Sequence, residues 1–145
     1  MVEALNMTQE EKRLLLIDLC ARLPYGIYVD AYSWQKDTPK LLIECVPEYV
    51  GEEIVVKGLA GRHSIKEIKP YLRPMSSMTE EEEREVGKLG VCYDGAFHND
   101  IYDTGIYMEE AFTAISWLLE RHFDINYLIQ KGLALEAPDG MYKIN

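Results

Sequence analysis

The chain has 145 residues, of which 48% are hydrophobic and 28% charged; that is the balance of a folded domain with a buried core, not of a disordered segment. Twenty-five acids oppose fifteen Lys and Arg, giving a formal net charge of -10, which works against a phosphate-binding surface and against anionic membranes. Cys20, Cys45 and Cys92 are an odd number without paired spacing, so neither a disulfide framework nor a zinc knuckle is expected. With no basic leader and no apolar run long enough to span a bilayer, the expected location is the cytoplasm.

Taken in chain order, Thr8 and Glu11 have capping-box spacing and open a helix expected over residues 9–22. Its inner face is expected to be Leu15, Leu16, Leu19, Cys20 and Leu23, with Pro24 as the stop. The period then changes to two. Ile27, Val29 and Ala31 alternate with Tyr28, Asp30 and Tyr32, as in a strand buried on one face. Further strands are expected at 41–46, 53–57 and 64–69, with turns at 35–40 and 47–51. Four short strands between residues 25 and 69 fit an antiparallel sheet that curls on itself, an SH3-like barrel being one form it can take.

Thr79 and Glu82 repeat the capping box, so residues 80–89 form a second expected helix, whose first-turn acids suit the helix dipole and which Gly90 ends. Residues 91–107 mix glycine, aspartate and aromatics without a period and read as an ordered loop or insertion. A third helix is expected at 109–122 with Ala111, Phe112, Ile115, Leu118 and Leu119 inward, and a short fourth at 125–131 capped by Asp124. Residues 133–136 and 141–144 flank an Ala-Pro-Asp-Gly turn and read as a terminal hairpin. The expected architecture is α+β in one domain over 1–145: helix 9–22, sheet region 25–69, helical part 79–132, hairpin 133–144.

Three stretches carry a resemblance: DLCARLPYG at 18–26, KPYLRPMSSMT at 69–79, and a C-terminal set of HFD at 122–124, Leu128-Ile129, KGLALEA at 131–137 and GMY at 140–142. Together they resemble a family of small uncharacterised proteins from gut anaerobes and their prophages. The resemblance implies a phage or mobile-element origin and brings no catalytic residue with it.

Few constellations point to chemistry. Asp94, His98, Asp100 and Asp103 place carboxylates and an imidazole within ten residues, a donor set for a divalent ion and for a metal-dependent enzyme, although the spacing matches no calcium-binding hand and suits ordinary turn aspartates equally. Cys92 and His98 are the only cysteine–histidine pair close in sequence, and small core cysteines explain the thiols more simply. His63 falls in a turn, and His122 ends a helix, where a cation suits the dipole. Gly58 and Gly61 lack phosphate-loop spacing and mark a turn.

Two features point to recognition. Glu80, Glu81, Glu82 and Glu83 are the densest charge in the chain, a solvated helix start or an acidic patch for a basic partner. Tyr28, Tyr32 and Trp34 share one face of the first strand, either as core or as an aromatic contact surface. The expected function is a non-enzymatic protein–protein interaction module of phage or mobile-element origin, without cofactor, acting on a protein partner that presents a basic surface rather than on nucleic acid or membrane. An acidic anti-defence inhibitor that mimics nucleic acid, and a metal-dependent enzyme using loop 94–103, are the alternatives.

Overall fold

A computed structural model describes residues 7–31, 40–41, 48–50, 53–58, 61–89, 91–93, 97–99 and 108–142. The chain is α+β; the described residues form three α-helices and short strands in separate sheets. Helix α1, Gln9–Arg22, begins as its sequence dictates. The Glu11 amide donates to the Thr8 hydroxyl at 3.1 Å, and the Thr8 amide donates to the Glu11 carboxylate at 2.9 Å. Two N–H groups orphaned at the helix start are thereby satisfied. At the other end the amides of Tyr25 and Gly26 fold back onto the Arg22 carbonyl, and Gly26 takes the φ of +73° that this reversal needs.

The inner seam of α1 departs from expectation. Leu15, Asp18, Leu19 and Arg22 are buried, at helical spacing, whereas Leu16, Cys20 and Leu23 are only half-buried. Asp18 and Arg22 form a buried ion pair within that seam, and Leu16 and Leu23 pack at its margin.

Strand β1, Tyr28–Ala31, lies between β2, Lys40–Leu41, and β6, Ile68–Leu72, antiparallel to both, with Tyr28 opposite Leu41 and Val29 opposite Pro70. Alternate residues of β6 are buried and the ones between them half-buried, so one face of the sheet meets the core. Strand β9, Leu135–Glu136, adds to the far side of β6 in parallel, with Tyr71 opposite Leu135. The sheet is therefore four-stranded, mixed and open, in the order β2-β1-β6-β9. Among the described residues the strands of region 25–69 fall in two sheets, neither of them closed, rather than in one curled sheet. Strand β4, Glu53–Gly58, pairs instead with β3, Glu48–Val50, and β5, Gly61–Ser64, in a second antiparallel sheet, with Gly58 opposite Gly61 at its hairpin end.

Helix α2, Glu80–Gly87, carries the second capping box as expected. The stretch read as a loop contains a hairpin, β7 Val91–Tyr93 against β8 Phe97–Asn99, while 94–96 and 100–107 lie outside the described residues. Helix α3, Met108–Glu120, buries Ala114, Leu118 and Leu119 and leaves Phe112 74% and Ile115 46% exposed, so two residues assigned to its inner face point outward.

Two further expectations fail at the C-terminal end. Residues 125–131 are turns, because the Asp124 carboxylate accepts the amides of Leu128 at 2.8 Å and Ile129 at 3.0 Å, a wider reach than a helix cap makes. The terminal hairpin is replaced by the parallel addition of β9 to β6; residues 141–142 form a bend, and 143–145 lie outside the described residues.

Two apolar clusters form the core. Leu15 and Leu19 of α1 pack with Ile27, Val29, Ile65, Ile68, Leu72, Leu128, Leu133 and Ala134. Met75, Met78, Val86, Leu118 and Phe123 make the second. Each fully buried Leu or Phe contributes roughly 1.5–3 kcal/mol against exposure.

Candidate functional site

Among the described residues, buried polar side chains gather where the chain leaves β6. The backbone of Arg73 bridges to the 121–124 turn: its amide donates to the His122 carbonyl, and its carbonyl accepts from the Asp124 amide, each at 2.8 Å. The guanidinium makes a bidentate pair with Glu82 at 2.7 and 2.8 Å, and its terminal nitrogens reach the carbonyls of Ser77 and Arg121 at 3.3 and 3.4 Å. It lies over the Phe123 ring, 4.1 Å from the centroid. Burial alone would push the Glu82 carboxyl up, but its hydrogen bonds from Arg73 and Thr79 and the Arg73 charge hold it below the usual carboxylate range.

A second buried arginine grips the same turn from α1. Arg22 pairs with Asp18 through Nε at 2.6 Å and Nη2 at 3.2 Å, and Nη2 also donates to the Phe123 carbonyl at 2.8 Å. Asp18 accepts a further hydrogen bond, 2.9 Å, from the Asn126 side-chain Nδ2. Phe123 thus has its carbonyl on Arg22 and its ring under Arg73, and Trp117 stacks on that ring at 6.2 Å. Arg121 covers Trp117 at 4.2 Å and bonds Glu85 at 3.1 Å, tying α3 to α2.

Beside this pair stands His122, at a φ of +67° and with its ring stacked 3.8 Å from that of Tyr142. Burial, with the charges of Arg22 and Arg73, depresses it to about 4, so the ring is neutral at neutral pH, in place of the helix-end cation expected from its position. Its Nδ1 and Arg22 Nη1 are buried without a hydrogen-bond partner. The Tyr142 hydroxyl accepts from the Tyr28 amide at 3.0 Å and donates to the Tyr71 carbonyl at 2.7 Å, and burial raises its pKa.

A cavity of about 320 Å³ opens next to this assembly, lined by Arg73, Pro74 and Ser77 on one side and by residues 136–140 with Tyr142 on the other. Ser77 donates its hydroxyl to the Pro74 carbonyl at 2.7 Å, so it is held within its own turn.

The residues singled out in the sequence are distributed differently from expectation. Glu80, Glu81 and Glu83 are exposed on the first turn of α2, whereas Glu82 is buried, facing Arg73, and leaves the proposed acidic patch. Tyr28 is half-buried, with its ring 5.7 Å from Tyr142, and belongs to the anchoring of the C-terminal segment. Tyr32 and Trp34 lie outside the described residues, as do Asp94, Asp100 and Asp103, while His98 sits on β8. Among the described residues no group of three or more His, Cys, Asp or Glu could hold a metal ion. Cys20 is half-buried, and burial raises its thiol pKa. No helix among the described residues is long and apolar enough to cross a membrane.

Arg22, Arg73 and Tyr142 were missed. Asp18 and Arg22 stand four apart, a spacing that permits an ion pair, and both share the helical face of Leu15 and Leu19. The partners of Arg73 and Tyr142 are distant in the chain and leave no such signal. No protein-family model, curated protein or solved structure matches this chain.

Proposed function

We propose that the protein is a non-enzymatic protein–protein interaction module of phage or mobile-element origin whose partner presents a basic surface. One observation carries the reading: three exposed carboxylates, Glu80, Glu81 and Glu83, stand on one turn of a helix whose start is fixed from beneath. The fixing element is Glu82, which closes the capping box and takes the buried Arg73 pair. A rigid display of like charge loses little entropy on docking and steers a basic partner toward it. The buried ionisable groups around it, by contrast, are engaged in holding the fold.

Charge reversal at Glu80, Glu81 and Glu83, sparing Glu82, tests this. The wild-type chain, used as bait in a bacterial lysate, should retain its partner near 0.1 M salt and lose it toward 1 M, as the Debye length falls from about 10 to about 3 Å. The triple variant gives up favourable first-turn charge, so its fold is checked by circular dichroism, and the folded variant should capture nothing. Partner retention by the folded triple variant would sink the reading. The same three carboxylates favour a second reading, an anti-defence inhibitor that occupies a basic groove as a nucleic-acid mimic. Release of the captured partner by added duplex DNA would single it out.

A further inference from the structure

We propose that the cavity between Arg73, Ser77 and the 136–140 segment is a receptor for one cationic side chain, lysine or arginine, of a partner protein. The inference rests on the interaction-module reading and names the contact that reading lacks. A cavity with an arginine in its wall first invites an anion, and the hydrogen-bond inventory argues otherwise. Both terminal nitrogens of Arg73 already serve the two Glu82 oxygens and the carbonyls of Ser77 and Arg121. Its charge is cancelled by Glu82 at 2.7 Å. The other charged groups in the lining are the two exposed acids Glu136 and Asp139, so once Arg73 is set against Glu82 the formal charge of the lining is negative.

The rest of the lining suits the stem of such a side chain. Pro74, Ala137 and Pro138 are apolar, and Lys and Arg bury their methylenes along such surfaces while keeping the charged head near acceptors. A volume of about 320 Å³ is at the small end of the roughly 300–1,000 Å³ range of ligand sites. It accommodates a single side chain more readily than a cofactor. The walls are also well anchored. The Ala137 amide donates to the Leu72 carbonyl at 2.8 Å, the Met141 amide closes the turn onto Pro138 at 3.1 Å, and Tyr142 is tied to Tyr71 and Tyr28. Little ordering would therefore be needed when the side chain enters.

The test is an amide-shift titration of the full, isotope-labelled chain with Nα-acetyl-arginine methylamide and Nα-acetyl-lysine methylamide, using Nα-acetyl-norleucine methylamide as the neutral control. Shifts should concentrate at Ser77, Glu136, Ala137 and Gly140 and be absent with norleucine. The double variant Glu136→Gln, Asp139→Asn, whose changes are both exposed, should weaken binding about fivefold or more with an otherwise unchanged spectrum. Equal binding by norleucine, shifts confined to residues 80–83, or undiminished binding by the double variant would each overturn the inference. Partner capture separates this from the broader reading. Capture that survives the double variant but not the α2 charge reversal removes the cavity and keeps the module. Capture insensitive to both removes the module, while the titration still decides the cavity.

Discussion

At Arg73 and Glu82 two opposite charges share the interior, and the pair is unequal to its two surroundings. Glu82 closes a helix cap and meets a guanidinium at once, so its loss would uncover both Arg73 and the Thr79 amide. Breaking one half of a buried pair costs about 3–5 kcal/mol, because the remaining charge keeps its desolvation without its partner. Glu82→Gln should therefore lower the urea midpoint steeply, while Glu81→Gln, exposed one position away, should stay within about 0.5 kcal/mol of wild type. Similar midpoints for the two variants would mean that the pair contributes no more than a surface charge does. Exposed and buried glutamates look identical in a run of four. Only the capping-box spacing sets Glu82 apart, and that spacing was legible from Thr79.

His122 offers a second test at this scale. Its folded pKa is depressed to about 4 from an ordinary 6.5. The unfolded chain therefore takes up a proton near pH 6.5 that the folded chain refuses until about pH 4. The contribution of this residue to stability is full above pH 6.5, declines as the pH falls to about 4, and is constant below. His122→Asn keeps a residue tolerant of positive φ and removes the titration. The difference between wild-type and variant Tm should shrink or invert between pH 6.5 and 4; a difference constant across that window would show that the imidazole is not held neutral.

At the scale of elements, legibility follows the range of the interactions that make each one. Helices α1 and α2 start where the sequence says, because a capping box is complete within four residues. The turn at 125–131 was misjudged although its signal was local: Asp124 does cap amides, but those of Leu128 and Ile129, which bends the chain rather than launching a helix. Strand β9 was legible as extended and not in its pairing, since the choice of β6 over a C-terminal arm is settled by contacts more than sixty residues apart in sequence, Tyr71 to Leu135 among them. Tyr142 secures that arrangement. Tyr142→Phe should leave the Tyr28 amide without its acceptor and cost about 1–3 kcal/mol. Hydrogen exchange at Tyr28 should accelerate in step, and unchanged exchange there would show that the C-terminal segment is held by other means.

Over the whole molecule, the two apolar clusters are brought together by a polar device. Leu15 and Leu19 place α1 in the first cluster, and Val86 and Leu118 place α2 and α3 in the second. Between them runs the 121–124 turn, gripped by Arg22 from one side and by Arg73 from the other. Neither arginine touches the partner carboxylate of the other, yet both act on the segment around Phe123. Residues that share a partner do not contribute additively, with coupling of about 0.5–3 kcal/mol. Replacing each arginine together with its carboxylate avoids stranding a buried charge, so the informative cycle combines Asp18→Leu, Arg22→Met with Arg73→Met, Glu82→Leu. Once one pair is gone the turn has lost one of its two arginine side-chain contacts, and removal of the second should cost measurably less than it does in the wild-type background. Urea unfolding of the four species gives the coupling directly. Strict additivity would mean that the clusters are stable independently of the turn, and that the two arginines serve only the helices that carry their carboxylates.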